Sequence, residues 1–315
     1  MAYRYDPELA PTVPLLPTSD LSDVAAARRG IDEMIGAALG PVDLDGLVVE
    51  DRQIEGPAGP VRIRTYVPVG LERPAPAILQ IHGGGFVVGS IDTEHGGNAQ
   101  VAREVGAVVV AVGYRLAPEY PFPAGLEDCY AGLVWLHEAA EELGVDRDRV
   151  AVSGGSAGGG LAAGLALLAR DRGGPALCFQ FLGIPELDDR LQTASMRAFV
   201  DTPLWNRPAA ELSWRYYLGP DYEGPTAGDV SPYAAPARAT DLSGLPPAYV
   251  NTMEFDPLRD EGILYALGLL EAGVSVELHH FPGTFHGSSL IAGAGVSKRA
   301  AAETIDVLRR ALAPR

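Results

Sequence analysis

The sequence is poor in cysteine and in basic residues, and each shortage excludes a class of protein. Only Cys129 and Cys178 are present among 315 residues. They are too few for a disulfide framework, and we interpret both as small buried hydrophobic residues. The 24 Lys and Arg residues stand against 41 Asp and Glu residues, which gives a formal net charge of −17. Nucleic acids and anionic membranes attract positive protein surfaces, so we expect neither as a partner.

The sequence also has little that resembles a leader or a membrane span. The first 17 residues contain no basic stretch leading into an apolar one, as a secretory signal would. The stretch from Ala151 to Ala169 carries no charge over 19 positions, but its six glycines and two serines would break a spanning helix. We interpret this stretch as a buried strand, turn and helix, and we expect a cytoplasmic protein.

What the sequence does contain is an alternation of short β-branched runs with longer helical patterns. This alternation is typical of an α/β fold in which helices flank a mostly parallel sheet. The first two of the eight predicted strands are close in the chain and are expected to pair antiparallel. The predicted strands are Leu47–Ile54, Val61–Val67, Ala77–Ile81, Ala107–Val112, Val150–Ser153, Leu177–Leu182, Ala248–Thr252 and Ser275–Phe281. The predicted helices are Glu94–Val105, Leu126–Leu143, Ala157–Arg170, Leu258–Ala272 and Lys298–Ala311.

Two regions fall outside this alternation and predict a cap. Residues 1–46 are rich in proline at first and then helical from about Leu21 to Leu39. Residues 188–245 carry many aromatic and proline residues, and they are too many for a plain connection between strands. We therefore expect a main domain of residues 47–187 and 246–315. Residues 1–46 and the insert 188–245 would pack together as a helical cap over the strand ends.

A nucleophile motif follows the fifth predicted strand. Gly154–Gly158 fit the pattern G-x-S-x-G, with an apolar strand before them and a helix of small residues after them. A strand-to-helix turn of this kind exposes the serine hydroxyl at the sheet edge, which predicts Ser156 as a nucleophile. The alternatives are a glycine-rich turn with an incidental serine and a dinucleotide-binding loop. The second is disfavoured, because its matching residues, Gly158, Gly160 and Ala163, fall inside the helix.

A second glycine-rich turn, His82-Gly83-Gly84-Gly85, follows directly on the third predicted strand. Successive glycines bring backbone N–H groups to one point without side chains in the way. Beside a serine nucleophile, such N–H groups together with the N–H of Ala157 form an oxyanion hole. We expect His82 to organise this loop rather than to act as the base.

A serine nucleophile needs a base and an acid, and folds with this turn place them in the order serine, acid, histidine. His279 and His280 fall inside the last predicted strand, whereas His286 lies just beyond it in a turn-rich loop, so His286 is the predicted base. An acid is expected between the preceding strand and this loop. The candidates are Glu254, Asp256, Asp260 and Glu261, of which Asp256 is nearest the loop centre, although an aspartate before a proline is also a natural helix cap.

At this point the chain resembles a family, the hormone-sensitive-lipase-like (bacterial family IV) esterases of the α/β-hydrolase superfamily. The resemblance rests on motifs in the family's order over about residues 80–290: His82-Gly-Gly-Gly-Phe, Tyr114-Arg-Leu-Ala-Pro-Glu119, Gly154-x-Ser-Ala-Gly-Gly159, Asp256-Pro-Leu-Arg-Asp-Glu-Gly262 and Phe285-His-Gly. It implies an α/β-hydrolase fold with an eight-stranded, mostly parallel sheet and a helical cap.

The resemblance also implies roles for individual residues. Ser156 would be the nucleophile, Asp256 the acid and His286 the base. Gly84, Gly85 and Ala157 would supply the oxyanion N–H groups, with Gly83 as an alternative donor. The chain departs from the family at two positions that are often polar there, Gly155 before the serine and Gly160 after the double glycine.

The function expected from these residues is that of a serine carboxylesterase without metal or organic cofactor. By the resemblance, short- to medium-chain esters of uncharged alcohols are the expected substrates and a homodimer is the expected assembly. Because the base must be neutral, activity should fall below about pH 6.5, the reference pKa of histidine. Two alternatives stay open: hydrolysis of amides, carbamates or lactones by the same groups, and a non-enzymatic small-ligand receptor, as in the plant gibberellin receptors of this fold.

Overall fold

The computed structural model of the chain describes residues 3–17, 20–39, 42–226 and 228–314. Eight strands form one sheet in the order β1-β2-β4-β3-β5-β6-β7-β8. The strand β2 pairs antiparallel with β1 and β4, and every other neighbouring pair is parallel. The strands are β1 Leu47–Ile54, β2 Val61–Pro68, β3 Ala75–Ile81, β4 Val108–Gly113, β5 Val145–Gly155, β6 Phe179–Gly183, β7 Ala248–Phe255 and β8 Val276–Phe285.

Nine α-helices lie within the described ranges. They are α1 Val24–Leu39, α2 His95–Val105, α3 Ala124–Glu138, α4 Ala140–Leu143, α5 Ala157–Arg172, α6 Ala194–Ala198, α7 Arg207–Leu218, α8 Arg259–Glu271 and α9 Gly295–Ala311. The eight predicted strands are therefore all present, and most bounds agree within a few residues. None of the helices in these ranges is long and apolar enough to cross a bilayer.

The single helix predicted over Leu126–Leu143 is wrong, because the chain forms two helices there. The helix α3 ends at Glu138, Ala139 turns the chain with φ −78° and ψ 1°, and the short α4 follows. Leu136, Ala140 and Leu143 are all buried across this break. The apolar spacing therefore continues through the turn, and a periodic pattern alone does not reveal it.

The sheet is buried on both faces. On one face its side chains pack against α3, α5 and α8, and the aromatic residues Trp205, Trp214 and Tyr217 of the insert join the same core. On the other face they pack against α2 and α9. Such double coverage is the usual state of a parallel sheet and explains its continuous apolar strands. The C-terminal ends of β5, β6 and β7 consequently lie side by side at one edge, where ligands bind in open α/β sheets.

Neither cysteine forms a disulfide within the described residues. Cys129 on α3 is buried in the core, and Cys178 before β6 is half-buried. Burial raises the pKa of the Cys129 thiol well above its ordinary value, so this group is a neutral, packed side chain.

Candidate active site

Ser156 occupies a sharp turn between β5 and α5. Its backbone has φ 57° and ψ −124°, which places a non-glycine residue in the sparsely populated left-handed half of conformational space. Hydrogen bonds hold this turn, because the Ser156 N–H donates to the carbonyl of Gly183 at 2.8 Å, and the N–H of Gly160 donates to the Ser156 carbonyl at 3.0 Å. The strained turn presents the hydroxyl at the end of the strand, as the motif predicts.

Glycines around the serine allow the turn to pack against its neighbours. A Cβ at Gly158 would lie 2.2 Å from the carbonyl oxygen of Ile81, and a Cβ at Gly154 would lie 2.3 Å from the carbonyl oxygen of Gly158. Both contacts involve backbone atoms, which have little freedom to move aside. The small residues of the motif are therefore required by the close approach of β3, β5 and α5.

We expect Gly158→Ala to lower the free energy of unfolding by about 3 kcal/mol, because its methyl group collides with backbone on the neighbouring strand. Gly155→Ala is the matched control, since a Cβ there meets only the carbonyl oxygen of Gly183, at 4.0 Å. The control should stay within about 0.5 kcal/mol of the native protein. Urea unfolding of the two variants tests this, and equal losses would contradict it.

The structure joins the three predicted side chains by hydrogen bonds. His286 Nε2 lies 2.9 Å from Ser156 Oγ, and His286 Nδ1 lies 2.7 Å from Asp256 Oδ2. All three residues are buried, with Asp256 only 1% exposed. The imidazole therefore bridges the hydroxyl and the carboxylate in the geometry of a serine, histidine and aspartate triad.

Asp256 also has the alternative role that its sequence context suggested. Its Oδ1 accepts the backbone N–H of Leu258 at 2.8 Å, at the entry to α8, while its Oδ2 faces His286. One carboxylate oxygen thus orients the loop and the other orients the imidazole. The two interpretations of Asp256 are compatible, because a carboxylate has several lone pairs.

The other candidate acids have different partners. Glu254 accepts the N–H of Gly283, Asp260 accepts the N–H of Ser195, and Glu261 accepts the N–H of Leu187. Likewise, the remaining candidate bases lie within β8: His279 contacts Glu303, and His280 contacts the hydroxyl of Thr252. None of these contacts involves Ser156.

The glycine loop after β3 faces the serine. A Cβ at Gly83 would lie 2.8 Å from the carbonyl oxygen of Gly155, so this loop is tight against the turn. Among the described residues, no acceptor takes the N–H groups of Gly84, Gly85 or Ala157. The N–H of Gly83 is instead donated to Glu94 Oε1 at 3.0 Å. The free donors beside Ser156 are therefore those of Gly84, Gly85 and Ala157.

His82 holds the start of this loop. Its Nδ1 lies 2.8 Å from the carbonyl oxygen of Gly83, and its ring stacks on Tyr114 with centroids 4.2 Å apart. Burial lowers the pKa of His82 to about 4, so its ring is neutral at pH 7. These contacts fix the loop and leave the ring away from the hydroxyl of Ser156.

The serine and histidine open into a cavity of about 550 Å³. Its walls are mostly apolar and come from the glycine loop, the histidine loop, the insert and the N-terminal segment, for example Leu21, Ile31, Leu204, Trp205 and Leu290. Its charged wall residues are all acidic: Asp20, Asp23 and Glu94. No group of three or more metal-ligating side chains occurs in the described parts of the chain.

Comparison with known proteins agrees with this geometry. The family model of the alpha/beta hydrolase fold matches residues 78–290. The chain belongs to this family. Esterase LipI of Mycobacterium tuberculosis is 43% identical over 244 residues, which are 76% of this chain and 75% of that protein. Carboxylesterase NlhH of the same species is 44% identical over 229 residues, covering 72% and 70% of the two chains.

A solved structure is more similar still. A bacterial heroin esterase superimposes with a TM-score of 0.97 at 56% sequence identity, and the match covers 99% of both chains. The predicted membership of the hormone-sensitive-lipase-like esterases is thus confirmed. The predictions of the α/β-hydrolase fold and of a carboxylic ester hydrolase are confirmed with it.

The two departures from the alpha/beta hydrolase family's pattern differ in their surroundings. A Cβ at Gly160 would lie 2.1 Å from the carbonyl oxygen of Glu186, so this backbone has no room for a side chain. Gly155, in contrast, has open space where its Cβ would be. The glycine at position 160 is therefore required by local packing, and the glycine at 155 is not.

Sequence reasoning missed Glu186, a fully buried glutamate three residues after β6. Its Oε1 lies 3.0 Å from the hydroxyl of Ser213, which is itself 2.9 Å from the carbonyl oxygen of Gly85. Burial, aided by the charge of Asp256, raises the pKa of Glu186 to about 8. The protonated carboxyl can donate to Ser213, which then donates to the oxyanion loop. An acidic residue just after a buried strand was the available signal.

The raised pKa of Glu186 predicts that the free energy of unfolding depends on pH. Between about pH 4.5 and 8 the folded protein keeps a proton that an unfolded glutamate has lost, so raising the pH favours unfolding. The amide of Glu186→Gln resembles the protonated carboxyl but does not titrate. The free energy of unfolding of this variant therefore lacks the decrease that Glu186 causes as the pH rises. We expect its unfolding free energy to exceed that of the native protein at about pH 9 and to match it near pH 4.

Urea unfolding across this pH range measures the difference. Glu211→Gln, which changes an exposed glutamate on α7, is the matched control and should follow the native curve. If the free energies of unfolding of Glu186→Gln and of the native protein differed by the same amount at every pH, Glu186 would not hold its proton in the folded protein as inferred.

Proposed function

We propose that the chain is a carboxylic ester hydrolase that works through an acyl-enzyme on Ser156. The observation that carries this proposal is the hydrogen-bonded chain from Ser156 through His286 to Asp256, which opens into a largely apolar cavity. The esterase names of the relatives support the same reaction.

In the proposed mechanism, Ser156 Oγ attacks the ester carbonyl while His286 Nε2 takes the hydroxyl proton. Asp256 holds the imidazole with its proton on Nδ1 and stabilises the charged ring that forms. The N–H groups of Gly84, Gly85 and Ala157 stabilise the tetrahedral oxyanion. The C–O bond then breaks, His286 gives its proton to the leaving alcohol, and a water molecule hydrolyses the acyl-enzyme by the same steps.

The proposed substrates are short- to medium-chain esters of alcohols without negative charge. A cavity of about 550 Å³ with mostly apolar walls suits an acyl chain of this length. The acidic walls and the net charge of −17 repel anionic esters. The compound in the name of the heroin esterase is an ester, which agrees with this class.

A fluorophosphonate probe tests the proposal, because it labels an activated serine irrespective of the natural substrate. We expect labelling of the native protein and none of Ser156→Ala. A p-nitrophenyl ester series from acetate to dodecanoate then measures the acyl preference. Failure to label the native protein would favour a receptor that only binds ligands, although the intact chain from Ser156 to Asp256 argues for the enzyme.

We also propose the predicted division into a main domain of residues 47–187 and 246–315 with a cap of residues 1–46 and 188–245. Contacts between the two cap segments support it, since the hydroxyl of Tyr216 in the insert donates to the carbonyl of Leu21 at 3.2 Å. Arg28 fastens the N-terminal helix to the main domain through Glu119 and the carbonyl of Val87. We propose a cytoplasmic location, which suits two cysteines that form no disulfide in the described residues.

For the assembly we propose a homodimer formed through β8 and α8. The strand β8 lies at the edge of the sheet, with Leu278 partly exposed on it. On α8, Leu264, Leu267 and Leu270 are 58%, 47% and 49% exposed. An unpaired strand edge beside an apolar stripe suits self-association about a two-fold axis.

We expect Leu267→Glu to convert the dimer into a monomer, because it places two charges in a desolvated interface. Val69→Glu is the control, since Val69 is 68% exposed and follows β2, near the opposite edge of the sheet. Light scattering after size-exclusion chromatography measures the mass. A native monomer, or a Leu267→Glu dimer, would contradict the proposed interface.

A further inference from the structure

A second cavity lies beside the one that holds Ser156. It measures about 590 Å³ and is lined by residues of α2 and α9 and by the ends of β5 and β6. Gly155, Ile184 and Ser289 line both cavities. The two spaces are therefore neighbours that adjoin at the turn carrying the serine.

The boundary between the cavities is open at Gly155. A Cβ built there has only one neighbour, the carbonyl oxygen of Gly183 at 4.0 Å. A larger side chain at this position would project into the space where the cavities adjoin. The absence of a side chain at 155, where the family pattern is often polar, thus leaves room for part of a ligand to pass.

The second cavity adjoins the loop that carries His286. His286 Nε2 must reach the leaving oxygen to protonate it, so the alcohol part of the ester lies next to His286. The loop that carries His286 continues into the wall of the second cavity through Ser289 and Ala292. An alcohol too large for the space beside His286 would extend past Gly155 into this cavity.

The chemistry of the wall indicates which alcohols fit. Uncharged polar side chains are frequent in it (Gln100, Asn251, Ser289, Ser297 and Thr304), and its two charged residues, Glu104 and Lys298, are of opposite sign. Ser297 donates its hydroxyl proton to the carbonyl of Ser288, and Thr304 donates to that of Ala300. Their oxygen lone pairs are left to accept from a ligand, and the hydroxyl groups of an alcohol are uncharged donors for them.

We propose that the second cavity is a subsite for the alcohol part of the ester and that it takes alcohols carrying several hydroxyl groups. The proposal rests on the proposed function, because it needs the acyl-enzyme on Ser156. When the ester C–O bond breaks, His286 passes the serine proton to the alcohol oxygen, and the neutral polyol leaves through this cavity.

Three butyrate esters test the subsite. Ethyl butyrate is too short to reach it and reports the chemistry at Ser156 alone. Glucose esterified at its primary hydroxyl carries a polar ring, and cyclohexylmethyl butyrate carries an apolar ring of similar size. We expect the native protein to hydrolyse the glucose ester with a kcat/KM about tenfold above that of the cyclohexylmethyl ester.

One variant closes the cavity at a point away from Ser156. Ala301→Trp fills it from the exposed face of α9. It should lower kcat/KM for the glucose ester about tenfold and leave ethyl butyrate within about twofold. Ala313→Trp, at an exposed position outside the cavity, is the matched control and should change neither substrate.

The outcomes separate the two proposals. If the native protein hydrolyses ethyl butyrate but Ala301→Trp affects all three esters equally or none of them, the subsite is wrong and the esterase stands. A native preference for the cyclohexylmethyl ester also overturns the subsite. If ethyl butyrate is not hydrolysed at all, both the proposed function and the subsite fail.

Discussion

Ser156→Ala is expected to lower kcat for p-nitrophenyl butyrate by about 10⁶-fold, because it removes the atom that forms the acyl-enzyme in the proposed mechanism. The residual rate above that in water, about 10³-fold, would come from the oxyanion N–H groups and from substrate binding. KM should change little, since the alanine keeps the cavity walls. Initial rates with purified protein, measured over a range of substrate concentrations, give both constants.

The control for this loss is Ser153→Ala, which removes a buried hydroxyl from the same strand, three residues before the nucleophile. Its kcat should stay within about threefold of the native value, because Ser153 has no part in the chain from Ser156 to Asp256. If Ser156→Ala retained a tenth of the native activity, another residue would have to be the nucleophile.

The second large effect is expected from Asp256→Asn, with a loss of about 10⁴-fold in kcat. The amide oxygen can still accept the N–H of Leu258, so the entry to α8 keeps its hydrogen bond. The amide NH₂ then faces His286 Nδ1 in place of the carboxylate and donates to it. This forces the proton onto Nε2, and the imidazole can no longer accept the proton of Ser156 Oγ.

Asp260→Asn is the matched control for this substitution. Asp260 lies four residues further on, in the first turn of α8, where it accepts the N–H of Ser195 and pairs with Arg259 rather than with the histidine. It should lower kcat by less than about threefold, and unfolding midpoints should show both variants folded. Equal losses in kcat for the two variants would contradict the assignment of the acid.

The parts of the fold predicted well are those that depend on local patterns. Each strand of the sheet is a short apolar run bounded by turn residues, and the turn at Ser156 needs small neighbours within two residues of it. Both properties depend on residues within a few positions of one another, so the sequence alone reveals them. The sequence does not reveal the break between α3 and α4, because the buried residues Leu136, Ala140 and Leu143 keep a helical spacing across it.

The proposed site was predicted from sequence in part. The sequence predicts His286 as the base, because His279 and His280 belong to a strand. Among the four candidate acids Asp256 is nearest the loop centre, and the resemblance to the esterases gives it the role of the acid. Position alone left Asp256 a helix cap or a triad member, and the structure has it contacting both Leu258 and His286. For Glu186 the sequence offers only its position after a buried strand, because its partners Ser213 and Gly85 are distant in the chain.

The sequence by itself determined the order of strands and helices, the glycine-bounded serine and the acidic character of the chain. Only the tertiary structure decided that Gly83 donates to Glu94, that Glu186 lies buried against Ser213 behind the glycine loop, and that a second cavity adjoins the first at Gly155. The physical reason is the parallel sheet. It brings the ends of β3, β5, β6 and β7 together from distant parts of the chain, and contacts made there depend on three-dimensional distance rather than on spacing in the sequence.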